Sequence, residues 1–371
     1  MTERRTPFFH EIAQLGVDFV KGSGDFMIAE VYSTPAEEHI NTRTNVGVQD
    51  LSTMGKVDIK GPDAEDLANY ILVNDIGNMV AGSVRYSSVC NENGRMLDDL
   101  TIFKMGDEHF RIVTGSINRQ KMFQWITSHA ADYRAYVTDL TAAVGMLTIQ
   151  GPRSREFLKS VISNADLDNL KNFRFTQGRM GETQLIVSRT GVTGELGYEL
   201  YVPADEASLL WQLIMQTGQE FDLAPYGIMA MYSLGLEKGY PAYGLDMDES
   251  RTPFHVGLDR FIKFNKESFI GRDALLSMRN EEISDRWVGL VVEGSKAAAF
   301  KDSIFSGKEK VGFITYSDTG HSVKKILAVG YVVTDYTDPG TELTININGV
   351  STPAAVSHMP FFDPEGIRLK S

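Results

Sequence analysis

Residues 57–62 read Val-Asp-Ile-Lys-Gly-Pro and residues 147–152 read Leu-Thr-Ile-Gln-Gly-Pro. In both, apolar and polar side chains alternate up to a glycine, which is the period of a half-buried strand. An amphipathic stretch follows each one, so both copies predict a strand, a glycine turn and a helix. Proline just inside a helix start loses nothing, because the N–H it lacks would go unpaired there anyway. Asp63, Glu65 and Asp66 lie at the positive end of the first helix dipole, whereas the second copy carries Arg153 and Arg155. Only the architecture repeats. Between the copies the pattern predicts strands over 85–90, 100–104 and 110–114 and a helix over 118–129. Residues 183–202 read as two strands around a glycine-rich turn, followed by a helix over 206–221. After residue 285, apolar runs at 287–292, 310–316, 327–333 and 342–347 alternate with Gly, Ser, Asp and Pro turns, the pattern of a separate all-β barrel or sandwich. Regular strand–helix alternation is missing, so the pattern predicts α+β layering and not a parallel dinucleotide-binding sheet.

Composition narrows this picture. A chain of 371 residues, 42% hydrophobic and 23% charged, is ordinary globular protein of two or three domains. The net charge of −13 argues against a nucleic-acid partner, which needs Lys and Arg to neutralise phosphates, but leaves room for a local basic spot. A single cysteine, Cys90, rules out an internal disulfide and a multi-thiolate metal site. The opening MTERRTPFFHEIAQLG has no apolar signal core and no window suits a membrane span, so a cytoplasmic location is expected. Seven histidines fall at no metal-ligand spacing, and neither G-x-S-x-G nor a P-loop occurs, so a metal centre, a serine hydrolase and a P-loop enzyme are all unsupported.

Three constellations carry candidate chemistry. In Asn-Glu-Asn-Gly-Arg-Met-Leu-Asp-Asp-Leu, residues 91–100, a polar turn runs into an apolar strand. Such paired carboxylates are commonly a solvated turn. Side chains alternate along a strand, so only one of Asp98 and Asp99 can face a ligand, and it would do so from a partly dry environment. The second is Arg-Thr-Gly-Val-Thr-Gly-Glu-Leu-Gly-Tyr-Glu-Leu, residues 189–200. It lacks the dinucleotide glycine order and a phosphate lysine, and a bulged hairpin accounts for its glycines. Glu199 is left over: sharing a strand face with Tyr201, it suits either the paired N–H donors of a flat heterocycle or a buried arginine. The third, residues 236–249, is a helix that stops at Gly239 and a loop rich in aromatic and acidic residues, whose rings could stack on a flat ligand.

With Thr6-Pro7-Phe8-Phe9, Glu38-His39 with Arg43, the run from Gly47 to Lys56, Gly61-Pro62-Asp63-Ala64 and Asn74-Asp75, these constellations occur in an order that resembles the glycine-cleavage T-protein (aminomethyltransferase) superfamily over essentially the whole chain. That superfamily also includes folate-dependent demethylases and the folate domains of dimethylglycine and sarcosine oxidases. The resemblance implies an α+β, three-domain cloverleaf of the T-protein type: a folate-binding region of two interleaved α+β domains over 1–280 and a β-barrel domain over 285–371. It implies tetrahydrofolate in a central channel, with Asp99 beside the folate nitrogens and the one-carbon unit, Glu199 on the pterin, and Tyr86 and Tyr240 lining the site.

The chain departs from the family pattern at Val192, where Gly-Tyr-Thr-Gly is usual, at Met231 and Gly235, where arginines are usual, and at Thr114, where a folate-facing Asn is usual. These departures shift the expected donor slightly towards a small methylated metabolite, making the chain a demethylase. The alternatives are aminomethyl transfer from lipoyl H-protein and a non-catalytic folate-binding assembly factor. Members of the last kind carry a cysteine motif that Cys90 does not reproduce.

Overall fold

The computed structural model describes residues 3–371. The two sequence echoes fold alike. Gly55–Lys60 and Val144–Gln150 are strands, and Ala64–Ile71 and Ser154–Val161 are the helices that follow. At the intervening turns Gly61 and Gly151 have φ of 135° and 126°. A Cβ there would lie 2.3 Å from the Arg134 carbonyl oxygen or 2.2 Å from that of Asn45, so each turn presses backbone on backbone and needs glycine. Pro62 and Pro152 sit one residue before the helix caps Asp63 and Arg153, not inside the helices as expected, because the glycine turn takes up one more residue.

A five-stranded antiparallel sheet has the order Val84–Cys90, Met96–Gly106, His109–Thr114, Gly55–Lys60, Tyr136–Asp139. A seven-stranded sheet has Val46–Asp50 and Val144–Gln150 as neighbours, so the five-stranded sheet is inserted between two paired strands of the larger one. Its other members are Gly197–Pro203, Thr183–Ser188, Phe175–Met180, Ile162–Ser163 and, parallel at one edge, Leu223–Pro225. Six strands between Asp285 and Ser357 close into a barrel in which Asp285–Val292 pairs with Val350–Ser357. Two of them, Ser303–Ser306 and Val350–Ser357, carry no apolar run that marks them in the sequence.

Each sheet has its own apolar core. A further cluster (Leu51, Val84, Phe103, Val113, Met146, Tyr201) joins the two sheets, and another (Cys90, Met96, Leu236, Met247, Phe254, Trp287, Tyr331) joins them to the barrel. No described helix is long and apolar enough to cross a membrane.

Candidate functional site

A cavity of about 1180 Å³ lies where the two sheets and the barrel meet. Leu100 and Thr101 line it from the five-stranded sheet, Thr190 and Glu199 from the seven-stranded side, and Trp287 and Val329 from the barrel. The Ile228–Lys238 helix adds Ile228, Met231, Tyr232 and Gly235, whose spacing of three, four and seven puts them on one face.

Asp99 sits on Met96–Gly106, half-buried and facing the cavity. On the adjacent strand Tyr86 pairs with Thr101, a diagonal position from which its hydroxyl donates to Asp99 Oδ2 at 2.8 Å. The Tyr86 ring meets the edge of Phe261 at 4.9 Å between centroids. Burial lifts the Asp99 carboxyl to about 6, against the pull of the Tyr86 hydrogen bond. Asp98 faces the other way and is fully buried, accepting from Asn118 Nδ2 at 3.0 Å. Burial, and next the charge of Asp99, hold it protonated well above the usual carboxylate range, and its second oxygen has no partner. Thus one carboxylate faces the ligand space, as the alternation requires. The other is no solvated turn residue, because the opposite side of the strand is covered too.

Glu199 is buried, and its Oε2 accepts from Thr190 at 2.6 Å and Tyr201 at 2.9 Å. Burial raises its carboxyl above the ordinary value, and no cation of the described chain pairs with it, so the buried-arginine reading does not apply. The preceding glycine turn is shaped by contact. A Cβ at Gly197 would lie 2.2 Å from the Gln150 amide nitrogen, and at Gly194, with φ of 74°, 2.3 Å from Lys238 Cγ. The turn holds protein, not phosphate.

Behind the cavity helix is a buried ionic network. Arg43 donates to Glu195 at 3.0 Å and Glu237 at 3.1 Å, His39 Nδ1 lies 2.8 Å from Ser233, and the barrel's Ser322 N–H reaches Glu237 at 2.7 Å. It ties the Pro35–Thr44 helix, the cavity helix, the glycine turn and the barrel into one body. The hydrogen bond from His39, and after it the positive charge beside Glu237, hold that carboxyl at about 2 despite its burial. After Gly239 ends the helix in a left-handed cap, the aromatic loop is pinned through Asp246, which accepts from Trp287 Nε1 and the Ala242 N–H, both at 2.9 Å.

Asp99, Glu199, Tyr86, Tyr240, Val192 and Met231 therefore all line one cavity, with Tyr240 at its half-exposed rim. Thr114 does not. It is buried opposite Gly55 on the adjacent strand while its neighbours Val113 and Gly115 reach the cavity, because the strand alternates. Asp50, Trp287, Arg260 and Arg286 also line it and were not singled out from the sequence. Asp50 ends the apolar strand Val46–Asp50, a signal of the same kind as Asp99, but the others are joined to the site only by the tertiary fold. Among the described residues no group of His, Cys, Asp or Glu is arranged to hold a metal ion.

The model of the GCVT N-terminal domain matches residues 8–266, and that of the glycine cleavage T-protein C-terminal barrel domain matches residues 286–363. The chain belongs to the glycine-cleavage T-protein family. The aminomethyltransferase of Halothermothrix orenii is 33% identical to this T-protein homologue, over 96% of the chain and 99% of the relative. That of Streptomyces coelicolor is 35% identical, over 89% and 90%. The crystal structure of glycine cleavage system aminomethyltransferase T from Bartonella henselae shares the fold, with a TM-score of 0.91, 24% identity and coverage of 98% and 99%. These relatives overturn the expectation of a demethylase acting on a small methylated metabolite: those matched at 33–35% identity over nearly the whole chain are aminomethyltransferases. Val192, Met231 and Gly235, where the chain departs from the family pattern, line the same cavity as the Asp99 and Glu199 carboxylates.

Proposed function

We propose that this T-protein homologue transfers an aminomethyl-derived one-carbon unit from the lipoyl arm of an H-protein to tetrahydrofolate, giving methylene-tetrahydrofolate as the C–N and C–S bonds of the donor break, the nitrogen leaving as ammonia and the sulfur as the lipoyl thiol. The observation that carries the reading is a pair of carboxylates, half-buried Asp99 and buried Glu199, that face one cavity from different sheets with no cation of the described chain paired to either. Uncompensated charge of this kind needs a ligand that brings N–H donors or positive charge.

The residues fit tetrahydrofolate. Glu199, fixed by Thr190 and Tyr201, would accept the paired N–H donors of the pterin, and the aromatic loop with Tyr240 would flank the rest. Bound tetrahydrofolate supplies the secondary amine nitrogens that take up the one-carbon unit. Asp99, oriented by Tyr86, orders those amines and stabilises the positive charge that develops as the carbon is transferred. The dry wall of Met231, Val192 and Leu100 strengthens that attraction. Removing such a pre-aligned group typically costs about 10²–10³-fold in rate.

Asp99→Asn is expected to lose turnover on this scale while keeping most of its affinity for tetrahydrofolate. The assay supplies aminomethyl-loaded H-protein and follows formation of methylene-tetrahydrofolate. Wild-type rates in the variant would remove Asp99 from the reaction, and no product from wild-type protein would sink the proposal.

A further inference from the structure

Asp98 is fully buried on the far side of the strand from Asp99, and one of its oxygens has no partner. An unmatched polar atom in the interior costs stability, so its place there calls for a reason other than packing. The other oxygen supplies one. Asn118 precedes the Arg119–Ser128 helix, yet its side chain does not cap that helix. Its Nδ2 donates instead to the Leu97 carbonyl at 2.9 Å and to Asp98 Oδ1 at 3.0 Å. The Gly115 N–H turns to the same carboxyl, and the Asn118 N–H closes on the Gly115 carbonyl at 3.2 Å. Asp98 therefore holds both ends of the loop 115–118 from behind.

Gly115, Ser116 and Ile117 of that loop line the cavity that Asp99 faces. The Ser116 hydroxyl lies 2.7 Å from that of Thr53, and Ile117 lies over Gly244 of the aromatic loop, where a Cβ would come within 2.9 Å of Ile117 Cδ1. The aromatic loop is fixed to the same strand and helix: Tyr243 donates to the Met96 carbonyl at 3.3 Å and Lys121 to Glu249 at 2.6 Å. We propose that Asp98 is a positioning residue for the transfer reaction, acting through Gly115 and Asn118 to seat the loop 115–118 and so close the wall that keeps water from Asp99. The inference rests on the one-carbon reading of the site, which makes Asp99 the group whose surroundings matter. A dry wall strengthens the attraction of Asp99 for developing positive charge, and a loosened one weakens it. Tyr86 from the neighbouring strand and Tyr243 from the aromatic loop are the titratable groups that face the pair. Arg260 acts on Tyr86, Asp248 and Glu249 act on Tyr243, and Lys121 reaches the Leu97 carbonyl.

Four variants test this. Asp98→Asn keeps an acceptor for Asn118 and Gly115, whereas Asp98→Ala and Asn118→Ala each cut the link. Ile117 is 55% exposed, so Ile117→Gly opens the contact with Gly244 without disturbing the interior. Each is compared with wild type for kcat, KM for tetrahydrofolate and the pH profile of methylene-tetrahydrofolate formation, with melting curves alongside. The three disruptive variants are expected to lose about tenfold in kcat while KM stays within about twofold, since Glu199 sets affinity. Their acid limb should move below the wild-type position, because water lowers a carboxyl that burial has raised. Asn118→Ala and Ile117→Gly leave the Asp98 carboxyl in place, so a shift they share is not the loss of a neighbouring charge. Asp98→Asn should stay within about threefold of wild type in kcat. A lower melting temperature with an unmoved acid limb marks a purely structural role and overturns the proposal, as does Asp98→Asn impaired as far as Asp98→Ala. Where the buried variants do not fold, Ile117→Gly decides by the same limb and the same kcat. No product from wild type overturns the one-carbon reading, and the proposal with it.

Discussion

Tyr86→Phe tests the electrostatic design of the site with a single atom. The Asp99 carboxyl stands at about 6 because burial raises it and the Tyr86 hydroxyl, 2.8 Å away, restrains it. At pH 7 wild type is then roughly nine-tenths ionised there. A hydrogen bond to a charged acceptor contributes about 1.5–3 kcal/mol, and one pKa unit corresponds to about 1.4 kcal/mol, so losing the hydroxyl should raise Asp99 by about 1–2 units. The ionised share at pH 7 falls to between roughly a half and a tenth, and recovers by about pH 9. Methylene-tetrahydrofolate formation is followed as kcat/KM from pH 5 to 9.5 at constant ionic strength for both proteins. Titrations of substrate groups are common to the two profiles and cancel. The variant should show its acid limb displaced to higher pH, a deficit of several-fold at pH 7, and near-normal rates at pH 9. An acid limb at the wild-type position, or a deficit of the same size at every pH, would refute the argument.

Glu199→Gln should weaken tetrahydrofolate binding by about one to two orders of magnitude, the scale of a charge-assisted hydrogen-bonded pair, with little effect on thermal stability; calorimetry reads the first and a melting curve the second. The Glu237 carboxyl stands at about 2 against an ordinary 4.5, so its stabilising contribution is fully present above pH 4.5 and is lost as pH falls through 2. Acid unfolding of wild type should therefore steepen below pH 4.5, and Glu237→Gln should flatten that dependence while destabilising the neutral protein by about 1–3 kcal/mol, because Arg43 loses one of its two carboxylate partners and keeps Glu195. Gly194→Ala should cost more stability than Gly16→Ala. Both glycines have positive φ, but a methyl at Gly16 meets nothing within 4 Å whereas at Gly194 it strikes the buried Lys238 side chain. Equal denaturation midpoints would contradict the close-contact account of that turn.

The parts of the site that the sequence exposes are those governed by strand alternation and chain order. Asp99 and Asp98 separate as the alternation requires, and Glu199 shares a face with Tyr201. The same alternation takes Thr114 out of the cavity, which chain order alone does not reveal. Helix and strand positions follow periodicity closely where the apolar pattern is continuous, as in Arg119–Ser128, Ala207–Thr217 and Lys325–Val333. The barrel strands Ser303–Ser306 and Val350–Ser357 are short or mixed with Ser, Thr and Pro, and their pairing is decided by barrel closure. Arg260 and Arg286 come to line the same cavity only because the fold brings a short helical turn, Asp259–Phe261, and the first barrel strand, Asp285–Val292, to it.

The insertion of one sheet into another has a kinetic consequence. Pairing Gly47 with Gln150 means closing a loop of roughly a hundred residues, an entropic barrier that slows folding. The insert, however, pairs its own first strand with its last, Val57 opposite Asp139, and so brings its two ends together. Once folded it acts on the larger sheet as a short hairpin connection would. The smaller sheet thereby becomes a template for the assembly of the larger, and weakening the Gly55–Lys60/Tyr136–Asp139 seam should delay formation of the far side of the cavity even though no residue there has changed.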